Sequence, residues 1–437
     1  MKKVIVVGAG LAGSECALNL ADNGFEVVLF EMKPNKKSPA HKSNGFAELV
    51  CSNSLKNIDK LTASGLFKEE LNLLGCKLLK LAEKTAVGAG GALAVDRDLF
   101  SKTVTEEIKN HKNITVVAEE ITSIPQSKDA YVVIATGPLT SESLSLDIKK
   151  QLNDDGLYFY DASAPIVSSE SIDMSRAVFM NRYDKGAPDY LNLDLNKEEY
   201  DAFYEALITA QTAPLHEFEK VNVYEGCMPI EILAKRGKDS IRFGPMKPVG
   251  IKNKEGKTPY AVVQLRKENL KQDLYNLVGF QTNLKFGEQQ RVFSLIPALK
   301  NAEFVRYGVM HRNTFINSPK FLNKDLSLKT NNKLFFAGQI VGSEGYVESI
   351  AGGLFVALQI MARESKKALV FSNKTLIGSL FNYVTSSVPG DFQPMSVNFG
   401  LLSPLEEKIK DKSIKKEKYY LRSVEEIKQI LEQIKGA

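Results

Sequence analysis

Hydrophobic residues open the chain as a tight run, Val4-Ile5-Val6-Val7, which leads directly into Gly8-Ala9-Gly10-Leu11-Ala12-Gly13. A run that is apolar at every position suits a strand covered on both faces, and the glycine pattern suits a turn that starts a helix. A second apolar run, Val27-Val28-Leu29-Phe30, ends on Glu31. Strand, glycines, helix, strand and acid therefore arrive in the order that a dinucleotide site requires. Gly8 permits the tight turn, Gly10 lets backbone amides approach a pyrophosphate, Gly13 allows close helix-strand packing, and the positive end of the helix faces the phosphates. The Glu31 carboxylate can accept both ribose hydroxyls, which predicts an adenosine half without a 2′-phosphate, as in FAD or NAD.

The pattern beyond that unit predicts the rest of the architecture. Residues 33–57 are polar and turn-rich and read as a site loop, followed by a helical segment around Leu66-Phe67-Lys68-Glu69-Glu70-Leu71. Ile114-Thr115-Val116-Val117 reads as a strand, and Tyr131-Val132-Val133-Ile134 as a buried strand whose exit at Gly137 passes beside a bound dinucleotide. From 164 to 320 the texture shifts to more Pro and Asp, a helix near 198–210 and alternating segments such as Ala261-Val262-Val263-Gln264-Leu265. The first pattern then returns at Lys333-Leu334-Phe335-Phe336-Ala337-Gly338. Gln339 and a Gly- and Ala-rich helix through Gly352-Gly353 follow, a placement that suits contact with a flavin's pyrophosphate or ribityl chain. Ser423 is expected to cap a last amphipathic helix over 424–434, and the Lys-rich run 408–418 reads as a solvated face or tail. The expected fold is α/β: a Rossmann-type FAD-binding domain of the glutathione-reductase-like flavoprotein kind, split into 1–163 and 321–437, with a basic helical tail. An inserted α+β substrate domain at 164–320 interrupts it.

Length and composition narrow the chemistry. At 437 residues the chain exceeds what one core usually organises. No stretch approaches the ~18 uninterrupted apolar residues of a membrane span, and the residues after Met-Lys-Lys belong to the cofactor strand rather than to a signal peptide, so a cytoplasmic location is expected. A net charge of +5 and a pI near 8.7 permit a polyanionic partner without demanding one. Four cysteines, Cys16, Cys51, Cys76 and Cys227, are too few and too scattered for a disulfide scaffold. There is no CxxC pair, and no metal site is expected.

Cys16 and Cys76 lie in apolar settings and read as packing. Cys51, in Glu48-Leu49-Val50-Cys51-Ser52-Asn53-Ser54, and Cys227, in Tyr224-Glu225-Gly226-Cys227-Met228-Pro229-Ile230-Glu231, lie in polar loops. A reactive thiolate needs an electropositive, partly exposed setting, and context alone leaves both residues open between reactive and structural roles. His311 and Arg312 fall in a turn-prone segment where the imidazole either stacks on a heterocycle or bonds to backbone. Arg242-Phe243-Gly244-Pro245-Met246-Lys247-Pro248 is a rigid cationic loop suited to carboxylates or phosphates, or else a solvated turn.

Taken together, these blocks resemble a known family, the folate- and FAD-dependent RNA (uracil-5-)-methyltransferases, over essentially the whole chain. The resemblance is carried by residues 8–13, 47–54, Gly90-Gly91-Ala92-Leu93-Ala94-Val95-Asp96-Arg97, residues 225–231, 242–249, His311-Arg312-Asn313-Thr314, residues 336–339, Gly345-Tyr346-Val347-Glu348-Ser349 and residues 392–400. It implies that 5,10-methylenetetrahydrofolate donates a carbon, that FAD carries it or its electrons, and that NADH or NADPH reduces the flavin. Cofactor contacts would come from Gly8, Ala9, Gly10, Leu11, Ala12, Gly13, Glu31, Gly137, Gly338 and Gln339. Because C5 of uracil is a poor nucleophile until something adds to C6, the resemblance makes Cys227 the attacking thiolate and Cys51 the second sulfur. It also makes His311 the residue that stacks the pterin, with Arg312, Arg242 and Lys247 on the folate or substrate side. The implied product is 5-methyluridine in the tRNA T loop, with a uridine of 23S ribosomal RNA as the alternative target. A flavin oxidoreductase acting on a small molecule is the rival class, but simple hydride transfer needs neither loop thiol.

Overall fold

The computed structural model describes residues 2–38, 40–154, 157–182, 187–213, 228–390 and 392–435, with backbone only at 157–161, 311, 312 and 435. The N-terminal apolar run Lys3–Val7 lies inside a six-stranded sheet. Its order is Ser327–Leu328, Asn331–Phe336, Tyr131–Ile134, Lys3–Val7, Glu26–Glu31 and Ile114–Ala118. Every neighbouring pair is parallel except the first. Val4, Val6, Val27, Leu29 and Val133 are wholly buried, which explains the unbroken apolar runs. The chain moves outward from Lys3–Val7 to one side through Glu26–Glu31, and later fills the other side with Tyr131–Ile134. The carboxyl ends of these central strands therefore open a crevice at a topological switch point.

The helix Leu11–Asp22 covers this sheet and packs on the late helix Tyr346–Glu364. Their contact is backbone against backbone, because a Cβ on Gly353 would stand 2.0 Å from the Ala12 carbonyl oxygen. The parts of the nucleotide fold separated by more than 300 residues of sequence are thus joined by a position that tolerates no side chain.

A second six-stranded sheet, wholly antiparallel, lies between them in sequence, in the order Ala177–Phe179, Leu191–Leu195, Ala261–Lys267, Leu274–Leu277, Ile166–Ser168 and Phe304–Arg306. It has its own core, where Leu193, Val263 and Leu277 meet Tyr200 and Phe203 of the helix Lys197–Thr209. Asn196 and Glu199 form a capping box that starts this helix. The chain enters through Leu157–Ala162 and leaves through Met310–Phe315. These two strands pair as an antiparallel ribbon, with Ala162 opposite Met310 and Asp161 opposite His311.

The C-terminal expectation needs correction. One helix runs over Lys412–Lys435, so Ser423 lies in its interior. The cap is Asp411, whose Oδ1 accepts from the amides of Ser413 and Ile414. The Ser423 hydroxyl donates instead to Glu70, a buried carboxylate that also caps the helix Leu376–Ser386 through the amides of Leu376 (2.7 Å) and Ile377 (2.9 Å). A serine that can cap a helix is equally able to bond across one, and only tertiary packing decides which. The loop expected over 33–57 also ends earlier, since Ser54–Asn57 pairs with Ala92–Val95 as a strand.

Candidate active site

The crevice at the sheet's carboxyl edge is an open cleft walled by the ends of the three central strands: Val7 and Gly8, Phe30 and Glu31, Thr136 and Gly137. Gly8 has φ +99°, a conformation that favours glycine, and a Cβ on Gly13 would lie 1.8 Å from the Gly8 carbonyl oxygen. Gly10 faces open space, with nothing within 4 Å of a Cβ built there. The Glu31 carboxylate is buried and organises the turn, accepting from the amides of Ala9 (2.8 Å) and Lys33 (3.1 Å). Leu11 and Ala12 line the floor, and Gln339 closes the far wall, its amide donating to Glu344 at 2.6 Å. A short turn, Gln339–Val341, separates Gly338 from the helix that begins at Tyr346.

At one end the cleft meets the turn that carries Cys51, and Val50 and Tyr346 line both. This turn is clamped from several directions. Arg97 donates to the Leu49 carbonyl (2.7 Å) and Arg306 to the Val50 carbonyl (2.5 Å). The Tyr346 hydroxyl accepts from the amides of Cys51 (2.8 Å) and Ser52 (3.2 Å). Arg266 donates to the Asn53 and Ser52 side chains at 2.9 and 3.0 Å. Glu268 pairs with Arg97 in the same buried patch. Burial works against the Arg97 charge, yet Glu268 beside it holds the guanidinium protonated. Burial, with Cys51 alongside, pushes the Tyr346 phenol up, so it stays neutral. Cys51 itself is half-buried, and its Sγ lies 3.5 Å from the Ala162 carbonyl oxygen, on the ribbon strand that faces His311. Arg97 and Arg306 thus hold the two residues that lead into a partly exposed sulfur.

Of the expected residues, Gly8, Gly10, Leu11, Ala12, Glu31, Gly137 and Gln339 line the cleft. Ala9, Gly13 and Gly338 are their chain neighbours and do not line it, and Cys51 follows the lining residue Val50, beside the strand that pairs with the His311 strand. Cys227 lies outside the described residues, as do the side chains of His311 and Arg312. Cys16 and Cys76 are buried in the core, and burial raises both thiols. Among the described residues Arg242 and Lys247 do not line the cleft. Arg242 ends the helix Lys238–Arg242, donates to the Tyr260 carbonyl at 3.0 Å and lies 4.1 Å from the Tyr260 ring centre. That stacking commits its guanidinium to packing. Lys247 offers its carbonyl to Arg182.

Sequence reasoning missed several residues. Arg97 and Tyr346 stand inside blocks that carry the family resemblance, a signal without a role, whereas nothing near Arg306 marked it. The cluster of Lys33, His41 and Glu48, which lines the cleft together with Glu31, was also missed. Glu48 accepts from the amides of Lys42 and Ser43, and burial together with Lys33 pushes the His41 imidazole down. Among the described residues no helix is long and apolar enough to cross a membrane, and no cluster of His, Cys, Asp and Glu could hold a metal.

Comparison with known proteins places this geometry in context. A family model described as glucose inhibited division protein A matches residues 3–368. The chain is 53% identical over 435 residues to the methylenetetrahydrofolate--tRNA-(uracil-5-)-methyltransferase TrmFO of Listeria innocua, covering 99% of this chain and 100% of that protein. It is 52% identical over 429 residues to the protein of the same name from Bacillus licheniformis, covering 98% of each. Among solved structures, GidA of Aquifex aeolicus shares the fold with a TM-score of 0.68 at 17% identity, over 98% of this chain and 73% of that one.

Proposed function

The chain belongs to the glucose inhibited division protein A family and, within it, to the methylenetetrahydrofolate--tRNA-(uracil-5-)-methyltransferases, and from that premise we propose that it converts a T-loop uridine of tRNA to 5-methyluridine. When bound, FAD, 5,10-methylenetetrahydrofolate and NADH or NADPH supply the carbon and electrons of the new methyl group. The cleft suits the flavin on chemical grounds. An open glycine at residue 10, a helix N-terminus behind it and a carboxylate at residue 31 match a pyrophosphate and a ribose. In this reading residues 1–163 and 321–437 form an FAD-binding unit of the glutathione-reductase-like kind, residues 164–320 present the substrate side, and the enzyme works in the cytoplasm.

The protein's own groups would divide the work as follows. The Cys227 thiolate adds to C6 of the uracil, forming a sulfur-carbon bond and leaving an electron-rich C5 that takes up the one-carbon unit. Cys51, fixed at the cleft end by Arg97, Arg306 and Tyr346, serves as the second sulfur and handles the C5 proton. Loss of that proton and departure of Cys227 restore the ring and the thiol. His311, with Arg312, holds the folate, and the target base leaves its stack to reach them. The names of the 53%-identical relatives favour tRNA over ribosomal RNA, and the two loop thiols speak against small-molecule oxidation.

The observation that carries the reading is that Tyr346 lines the dinucleotide cleft while its hydroxyl holds the Cys51 amide, so that a flavin site and a sulfur share one wall. The test is covalent trapping of tRNA containing 5-fluorouracil. Wild-type protein should form an adduct, and Cys227→Ala should abolish it while retaining FAD. An adduct that persists in the variant removes Cys227 from the nucleophile's role.

A further inference from the structure

Outside the cleft, three aromatic rings form a near-parallel stack on the antiparallel lobe. Phe304 and Tyr307 lie 5.6 Å apart, centre to centre, at 10°, and Tyr307 and Phe286 lie 5.0 Å apart at 15°. Phe304 continues into the core against Phe293. The outer ring, Phe286, is 55% exposed, and among the described residues it stacks on Tyr307 alone. A lone exposed phenylalanine is ordinary. One that ends a rigid stack is a flat surface held ready for another ring.

The stack is fixed in place. Gln289, wholly buried, grips Gly308 in both directions at 2.8 Å, and the Tyr307 hydroxyl donates to Gln290 at 2.8 Å. The chain on either side of Tyr307 is tied to the Cys51 turn and to the ribbon strand that Cys51 contacts. Arg306, next to Tyr307, donates to the carbonyl of Val50, the neighbour of Cys51. Val309 is bonded to Ser163, the residue after the one that Cys51 contacts. On the other side, the described ends of the segment containing Cys227 are anchored on the chain just before Phe286: Ala213 donates to Asn283 (2.8 Å) and Ile230 to Gln281 (2.7 Å). Lys285, the exposed residue before Phe286, donates to the Gln211 side chain at 3.0 Å, and the exposed Arg291 is paired with Glu288.

We propose that Phe286 is a stacking platform for an unpaired nucleobase that flanks the target uridine of the RNA substrate. The inference rests on the methyltransferase reading and adds the contact that holds the strand beside the base to be modified. Every base has a π-face, so such a platform suits a single-stranded loop opened for chemistry, and the exposed Lys285 ammonium next to it in the chain suits a phosphate.

The test uses an unmodified tRNA transcript and the full-length flavoprotein. Phe286→Ala and Phe286→Leu should each weaken RNA binding by about ten- to a hundredfold. Phe286→Trp should hold it near the wild-type level. All three should retain FAD and an unchanged KM for 5,10-methylenetetrahydrofolate. RNA affinity unmoved in Phe286→Ala, or Phe286→Leu binding as tightly as wild type, overturns the platform. A changed sedimentation coefficient with unmoved RNA affinity does so too, and assigns the ring to a protein contact. If Phe286→Ala fails to retain flavin, the Leu and Trp pair decides. Failure of the methyltransferase reading looks different: wild-type protein would then make no 5-methyluridine at all.

Discussion

The glycine turn and the Cys51 turn face the same cleft, yet they are built in opposite ways. Residues 8–13 are shaped by their own glycines, by backbone packed against them and by one carboxylate. Gly8 donates to the Phe30 carbonyl and lies against Ala135, and Ala9 bonds to the Ala47 amide and to Glu31. Residues 49–53 are held by side chains from 48 to 295 positions distant, drawn from the parallel lobe, the antiparallel lobe and the start of the late helix. A local motif places backbone, which suffices for a cofactor recognised through phosphates and ribose. Orienting a sulfur takes fixed partners from several directions, which only tertiary structure supplies. The contrast implies that the glycine turn fails abruptly when its own residues change, while the cysteine turn fails by degrees as its clamps are removed.

The largest effect is expected at Gly13. A valine there would drive carbon into the Gly8 carbonyl oxygen, 1.8 Å from a Cβ, and no flexible side chain can yield. Gly13→Val should cost more than about 4 kcal/mol and give protein without flavin absorbance. Gly10→Ala makes the comparison sharper, since nothing lies within 4 Å of its Cβ. It should fold normally and lose only cofactor affinity, because the added methyl faces the space a pyrophosphate needs. Equal flavin content in Gly13→Val and wild type would remove the steric account of the turn.

That difference also sets what could be read from the sequence. The parallel sheet was legible because strands buried on both faces write themselves as runs such as Val4-Ile5-Val6-Val7, and the glycines carry their reasons locally. The antiparallel sheet was legible only as a change of texture. Ile166–Ser168 and Phe304–Arg306 are too short to announce a period, and their pairing spans most of the lobe. The arginine clamp left no trace at Arg306, since its role depends on a carbonyl 256 residues away. Ser423 misled for the same reason: its partner, Glu70, lies 353 residues off.

The clamp should break next. Arg97→Ala leaves Glu268 buried with its nearest partner gone, for an expected loss of about 3–5 kcal/mol in denaturant unfolding. The double variant Arg97→Ala/Glu268→Ala should lose less than the two single changes together, because the stranded charge goes with its partner. Strictly additive losses would mean that the pair is not coupled.

Glu70 tests a third fastening, that of the C-terminal helix to the nucleotide lobe. Burial raises its carboxyl from the ordinary 4.5 to about 7, although the Ser423 hydroxyl and the amides of Leu376 and Ile377 favour the anion. Between these values the folded chain binds a proton that the unfolded chain has lost. Stability from this group therefore falls as pH rises through that window, by about 3 kcal/mol in full. Glu70→Gln keeps an acceptor but has nothing to ionise. Its Tm relative to wild type should climb between pH 5 and pH 8, whatever offset the lost second oxygen adds. A difference that stays flat with pH rules out the buried proton.

The smallest loss among the tertiary fastenings, and the most informative for chemistry, is expected from Tyr346→Phe. The ring would still wall the cleft, so flavin should remain bound. What goes is the oxygen that accepts from the Cys51 and Ser52 amides, a loss of about 1–2 kcal/mol as two half-buried donors lose their partner. Arg97 and Arg306 still hold Leu49 and Val50, so the turn loosens at the sulfur rather than collapsing. Turnover should then fall about tenfold, as reacting groups lose alignment, with KM for tRNA unchanged. Turnover equal to wild type in Tyr346→Phe would show that the cysteine turn keeps its geometry without its third clamp, and that the two arginines are enough to aim it.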